Sequence, residues 1–274
     1  MTVFFEQTLR LALPYMLAAC AGVLSERAGV INFALEGVML FAALAGAAVA
    51  LATDSMWAGM GAAMAAGALA SLLYYSFTAT RRTDQVLLGI AFNLSAVGLT
   101  RFALKLAYGS ASNSPRIASD ANVTALSLSL LLLAFFVMKR TRFGIRMIAA
   151  GDAPDALSAT GVSVRAIRAS ALALSGMFAG LAGGTLLSAQ HQFTDNMSAG
   201  RGYIAVAAVV FGGWRLAPVL VVCLLFAVAE ATVFWVQGQN LFAPQLAQML
   251  PYVVCLVALA LRRKTYRAPL ELGR

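Results

Sequence analysis

Four polar side chains sit inside stretches otherwise greasy enough to cross a membrane. They are Asn32 and Glu36 in "LSERAGVINFALEGVML" (24–40), Asn93 in "DQVLLGIAFNLSAVGLT" (84–100) and Glu230 in "FAVAEATVF". Carboxylates and amides in such places can hydrogen-bond a polar solute, line a water-filled path or couple an ion. They can equally tie helices together. An ionised side chain at the bilayer centre costs on the order of 3 kcal/mol or more on insertion scales, so each must face a partner or a path. Asn32 and Glu36 stand four apart, which predicts one shared helix face. For Glu36 the competing reading is an inter-helix hydrogen bond or a salt bridge, with Arg27 as its partner. Asn93 and Glu230 carry the same pair of readings, helix glue or pathway wall. All four are therefore candidates for a translocation pathway.

The arrangements that would support catalysis are missing. No Lys follows a Gly, so there is no G-x-x-x-x-G-K-[ST] loop to cradle a nucleotide phosphate. There is no H-E-x-x-H, no Ser-His-Asp arrangement and no Cys/His cluster. The single histidine, His191, lies with Gln192, Asp195 and Asn196 in a polar loop and reads as a solvated group. Cys20, Cys223 and Cys255 fall within apolar runs without ligand spacing and read as small buried hydrophobes. No catalytic residue, metal or cofactor is expected.

The elements that must position the four polar groups are membrane helices. Of 274 residues, 61% are hydrophobic, outside the range of soluble domains. A crossing takes about 20 residues for roughly 30 Å of hydrocarbon. The length then allows about eight to ten crossings in a single permease-like domain, residues 1–274, with no separate soluble domain. All-α is the expected class, since open sheets cannot live in lipid. The net charge of +9 does not point to nucleic acid. Its bases cluster at Arg81 and Arg82, between Lys139 and Arg168, and from Arg262 to the end, alternating with charge-poor connections as the positive-inside rule requires. No cleavable leader is expected, because the first apolar segment carries Glu6, Arg10 and Pro14.

Along the chain, spans are expected near 4–24, 30–52, 56–79, 84–107, 123–138, 169–188, 217–236 and 245–261, with a shorter apolar piece at 203–214. Residues 108–122 and 189–202 read as outer loops, and 139–168 as the long basic cytoplasmic loop. If that loop is inside, the N-terminus falls outside unless an early segment is broken. A second segment broken at its start, with its helix beginning near Gly29 at membrane depth, is the expectation. Gly176, Gly180 and Gly184 recur every four residues and predict a close-packed helix seam. "DAPDALSATG" reads as a short helix with Asp152 as N-cap, Pro154 in its first turn and Gly161 as stop.

Taken together, the blocks resemble the permease subunits of ABC importers for nucleosides and simple sugars. "LSERAGVINFALEGVML" resembles that family's S-E-R-x-G run, and "DQVLLGIAFN" its D-Q-V segment. "TRFGIRMIAAGDAPDALSATGVSV" (141–164) is similar to its cytoplasmic loop, and "SAGRGYIAVAAVVFGGW" (198–214) to its late glycine-rich block. Met147 and Asp152 depart from the loop's usual Arg and Glu. The resemblance implies a non-catalytic subunit of the bacterial inner membrane. Its implied partners are a cytoplasmic ATPase, a second permease that is a paralogue in a heterodimer, and an extracytoplasmic binding protein or lipoprotein. It further implies that Ala150, Gly151, Asp152, Pro154, Ala156 and Gly161 belong to the segment that meets the ATPase. Competing readings are a branched-chain amino acid permease of the same superfamily, an ion-coupled carrier using Glu36 and Glu230, and, more remotely, a membrane enzyme.

Overall fold

A computed structural model describes residues 2–81, 83–118, 122–238, 253 and 268–273. They form α1 (Thr2–Arg27), α2 (Leu35–Thr53), α3 (Met56–Arg81), α4 (Gln85–Tyr108), α5 (Val123–Arg140), α6 (Arg142–Asp152), α7 (Pro154–Ala159), α8 (Val164–Gln190), α9 (Arg201–Phe211) and α10 (Leu216–Gly238). Seven of these are long and apolar enough to cross a membrane: α1, α2, α3, α4, α5, α8 and α10. The chain is an all-α, multi-pass membrane protein. The span expected at 245–261, with Cys255, and the basic tail from Arg262 to Arg267 lie outside the described residues.

The centre is built from α1, α2, α3 and α8, with α9 and α10 laid along α1, α4 against α2, and α5 against α1 and α8. In α1 78% of the apolar window is buried and in α8 72%, against 22% in α4 and α5, so the last two are the outer wall. Leu87, Leu94 and Leu106 of α4 and Leu132 of α5 are turned outward, as lipid-facing positions should be.

Small residues bring the central helices together. A Cβ on Gly176 would strike the Gly67 carbonyl of α3, and one on Gly180 the Ala63 carbonyl. One on Gly184 would lie 2.7 Å from the Met60 sulfur. Without a hydrophobic force between helices in lipid, this backbone-to-backbone approach is what holds such a pair. Gly183 points the other way, onto the Met39 carbonyl of α2, so α8 presents glycine to two neighbours.

Three expectations need correction. The second helix begins at Leu35, not near Gly29, and residues 28–34 are non-helical. The stretch 139–168 is mostly helix: α5 runs to Arg140, α6 and α7 fill the middle, and α8 starts at Val164, ahead of the expected 169. Asp152 is the last residue of α6 and does not cap α7, whose N-cap is Ala153 with Pro154 at the first position. Pro there is favoured because its missing N–H would have no helical partner. Gly161, at φ +79°, turns the chain after α7 as the stop signal indicated.

The end of α1 meets α6, with Arg27 Nη1 4.0 Å from Asp152 and the Arg27 carbonyl against Gly151. Because α1 continues unbroken through Pro14, its N-terminus lies on the face opposite α6 and α7. On that far face the loops flanking α4 and α9 are zipped together. Ser114 N–H donates to the Phe193 carbonyl (2.9 Å), Asp195 N–H to that of Ser112 (2.7 Å) and Ile117 N–H to that of His191 (2.7 Å). Arg101 of α4 pairs with Asp195 across the same seam.

Candidate functional site

The backbone between α1 and α2 leaves the helical state at Ala28 and regains it at Leu35, yet Ala28, Gly29, Val30, Asn32 and Ala34 are buried. Exposed backbone amides cannot be left unpaired in lipid. The reversal begins with Ala28 and Val30 N–H donating to the Ser25 carbonyl (both 3.1 Å) and Gly29 N–H to that of Glu26 (3.0 Å). Gly29 sits at φ +88°, a conformation that favours glycine.

Side chains from three other elements, and one backbone N–H of the tail, meet further groups of the break. Arg168 of α8 donates from Nε to the Ala28 carbonyl (3.1 Å). Gln85 of α4 accepts from Ile31 N–H (2.7 Å), and the Tyr74 hydroxyl of α3 lies 2.8 Å from the Ile31 carbonyl. Asn93 donates to the Phe33 carbonyl (2.8 Å) and accepts from Gly37 N–H (2.8 Å). Gly273 N–H, from the C-terminal tail, donates to the Gly29 carbonyl (3.3 Å). Asp84 caps α4 by accepting from Val86 and Leu87 N–H (2.8 and 3.0 Å), which fixes Gln85 at the helix start.

Asn32 and Glu36 therefore do not share a helix. Asn32, fully buried in the break, donates to Ser175 Oγ of α8 (3.3 Å), and its Oδ1 finds no partner. Glu36, in the first turn of α2, turns to α9. Its Oε1 accepts from Gly200 N–H (2.7 Å) and its Oε2 from Gly202 N–H (2.6 Å). These are inter-helix hydrogen bonds, and the alternative salt bridge of Glu36 to Arg27 does not form. Arg27 instead donates to the Trp214 carbonyl (2.8 Å) and faces Asp152.

Glu36 thus caps a half-helix. At about 1.5 Å per residue, the 11 residues of α9 rise roughly 16 Å, about half the hydrocarbon thickness. Its last turn runs into Trp214, whose indole N–H donates to Glu26 (2.5 Å) at the α6 side of α1. Its first turn therefore lies near mid-depth, where a carboxylate suits the positive end of the helix. A Cβ on Gly202 would sit 2.6 Å from Glu36 N, so only glycine allows this approach.

The opposite sign is handled by Glu230. Arg201, the first residue of α9, carries a cation at the unfavourable end and pairs with Glu230 Oε1 of α10 (2.9 Å). The Tyr15 hydroxyl of α1 donates to Glu230 Oε2 (2.8 Å). Tyr203, one turn into α9, accepts from Asn93 (3.0 Å). The N-terminus of α9 is so tied to α1, α2, α4 and α10 at once.

Of the four polar candidates, Asn32, Glu36 and Asn93 converge on the α1–α2 break and the start of α9, and Glu230 joins through Arg201. Ala150, Gly151 and Asp152 reach the same break from below: Arg168 also donates to the Ala150 carbonyl (3.1 Å), and Gly151 packs on Arg27 and Gly29. Pro154 and Ala156 stand on α7, where Leu157 is buried and Asp155, Ala156, Ser158 and Ala159 face outward. Sequence reasoning missed Tyr74, Arg168, Ser175 and Trp214, which carry no signal until their partners are known. Gln85 lay inside a quoted block and stood out only as a polar residue at a helix start.

The chain matches, over residues 4–259, the family described as branched-chain amino acid transport system / permease component. It is 34% identical to the guanosine ABC transporter permease protein NupQ of Bacillus subtilis, over 84% of this chain and 82% of that one. It is 30% identical to the nucleoside ABC transporter permease protein NupC of Lactococcus lactis subsp. cremoris, over 90% and 88%. It is 31% identical to the putative glucose ABC transporter permease protein TsgC13 of Haloferax volcanii, over 82% and 74%. Among solved structures, a chain of PsaBC from Streptococcus pneumoniae in complex with a Fab has the same fold. The TM-score is 0.61 over 95% of this chain and 92% of that one, at 14% identity.

Proposed function

The chain belongs to the branched-chain amino acid transport system / permease component family of ABC transporters, and from that premise we propose that it is the membrane-spanning half of a nucleoside or simple-sugar importer in the bacterial inner membrane. It would bind no nucleotide. A separate ATPase supplies the energy, a second permease, a paralogue, completes the path, and an extracytoplasmic binding protein or lipoprotein delivers the solute. The observation that carries this reading is the convergence of the four sequence blocks on one buried break, alongside relatives named for guanosine, nucleosides and glucose.

The mechanism follows from how that break is braced. We place the ATPase contact on the outward residues of α7, with α6 transmitting the push through Gly151 and Asp152 to Arg27 and Gly29. Residues 28–34 are an unwound part of the core, so they can change φ and ψ where a packed helix cannot. α9 is held at its lower end by Glu26 and Arg27 through Trp214, and at its upper end by Glu36 and Glu230. It is therefore the element whose tilt would open or close the path at mid-depth. Asn32, Glu36, Asn93 and Glu230 act in this reading as positioning residues for that gate.

The charged groups at this level support an uncharged cargo. Glu26, Glu36, Glu230, Arg27 and Arg201 spend their charges inside the chain, whereas an amino acid would bring an ammonium and a carboxylate in need of partners. An ion-coupled carrier is not favoured, because Glu36 and Glu230 are satisfied by backbone amides and by Arg201. The test is uptake of labelled guanosine, uridine, ribose and leucine by cells carrying the whole transporter with this chain present or deleted. Loss of nucleoside or sugar uptake alone is the expected result, and loss confined to leucine would overturn the reading.

A further inference from the structure

On the α6–α7 face a cavity of about 480 Å³ opens beside the break, walled by Tyr75, Thr78, Thr83, Gln85, Arg165 and Arg168, with Val30 and the tail's Gly273 closing it. It lies apart from the α9 gate. Two guanidinium groups share it, and among the described residues no carboxylate lines it. Arg168 spends Nε and one terminal nitrogen on the Ala28 and Ala150 carbonyls, which leaves its other terminal nitrogen. Arg165 is exposed and braces nothing in the break. Gln85 turns its oxygen to Ile31 N–H, so its amide donors are the end left over. The Tyr75 and Thr78 hydroxyls already donate to the Arg165 and Tyr75 carbonyls (3.3 and 2.9 Å), and Thr83 adds a further hydroxyl to the wall around this basic floor.

Arg165 also sits in the first turn of α8, where a cation opposes the helix dipole, and Arg168 follows directly after that turn. Among the described residues, no side chain in the wall of the cavity carries an offsetting negative charge. A planar guanidinium pair with amide and hydroxyl donors is chemistry matched to phosphate oxygens.

We propose that this cavity binds a phosphate group, carried either by an anionic phospholipid of the cytoplasmic leaflet or by a phosphorylated solute in the cytoplasm. The phosphate bridges the turn between α3 and α4 to the base of α8. It so braces the segment that leaves α7 against the one that holds Ile31.

The test uses the full chain, purified with its partner permease in a neutral detergent. Native mass spectrometry after incubation with phosphatidylglycerol or phosphatidylcholine reads the lipid source. Thermal unfolding in sodium phosphate against sodium chloride at matched ionic strength reads the soluble source. The expected result is selective retention of phosphatidylglycerol, or stabilisation by phosphate, weakened about tenfold in Arg165→Gln. Arg142→Gln, a base removed elsewhere on the same face, should leave it unchanged. Arg165→Lys keeps the charge but not the fork and should fall between. A signal in the lipid arm assigns the site to a headgroup, and one in the phosphate arm alone to a soluble phosphate ester. The proposal is overturned if neither anion favours the wild type over Arg165→Gln, or if Arg142→Gln loses as much.

Discussion

Glu36 meets its charge with two backbone N–H groups of another helix rather than with a cation. A carboxylate offers acceptors only, which is what two converging donors require. Glu36→Gln keeps the shape but turns an NH₂ toward one of those donors. It should cost roughly 2 kcal/mol, read by denaturant unfolding in micelles, and uptake should fall with it. Unchanged stability would mean that the cap contributes nothing. Asn93→Leu removes partners from the Phe33 carbonyl, Gly37 N–H and Tyr203 together and should cost more, about 3 kcal/mol by the same measurement. At this scale the sequence was legible in part. A buried carboxylate and amide were recognisable as costly and therefore partnered, but the partners were backbone groups more than 50 positions away, and backbone groups have no residue type to read.

Helices were the most legible level, and their ends the least. Apolar length located the seven crossings, because the bilayer imposes its own ruler. The start of α2 was misplaced since nothing local stops a helix at Ile31. Apolar residues continue through the break, and tertiary hydrogen bonds from Tyr74, Gln85 and Asn93 compensate the unwinding. Asp152 misled for a related reason: an Asp two residues before Pro154 suits an N-cap, but Asp152 ends α6 and Ala153 takes the cap position. Two substitutions test the elements themselves. Gly180→Leu would drive a side chain into the α3 backbone at Ala63 and should abolish a monodisperse peak in size-exclusion chromatography. Gly202→Ala should tilt α9 away from Glu36, lowering uptake roughly tenfold while the chain still inserts and assembles. Normal uptake in Gly202→Ala would remove α9 from the gating role.

For the whole molecule, the zipped far-side loops and the α6–α7 face lie on opposite sides, and the proposed importer would use them for two different partners. A mild-detergent pull-down through a tagged tail should bring down an ATPase, a second permease and a binding lipoprotein. Deleting α7's outward residues Asp155, Ala156 and Ser158 should lose the ATPase alone. A chain that purifies by itself, fully folded, would argue against the importer reading. Class, family and the order of blocks were readable from the sequence. That all four blocks meet in one place was not, since linear spacing carries no information about which distant segments will touch.

The α1–α2 break has a bearing on how the protein is made. The side chains that brace it, Tyr74, Gln85, Asn93, Arg168 and Ser175, are synthesised after it, as is the tail's Gly273 N–H. While the ribosome is still adding α3, the first two spans can be threaded into the bilayer, but their junction has no way to shed water. The junction acquires its partners in that order and is complete only when the tail arrives. A nascent chain stalled short of its tail therefore keeps a wet, unsealed seam beside α1, the kind of defect by which membrane quality-control proteases tell an orphan from a finished subunit.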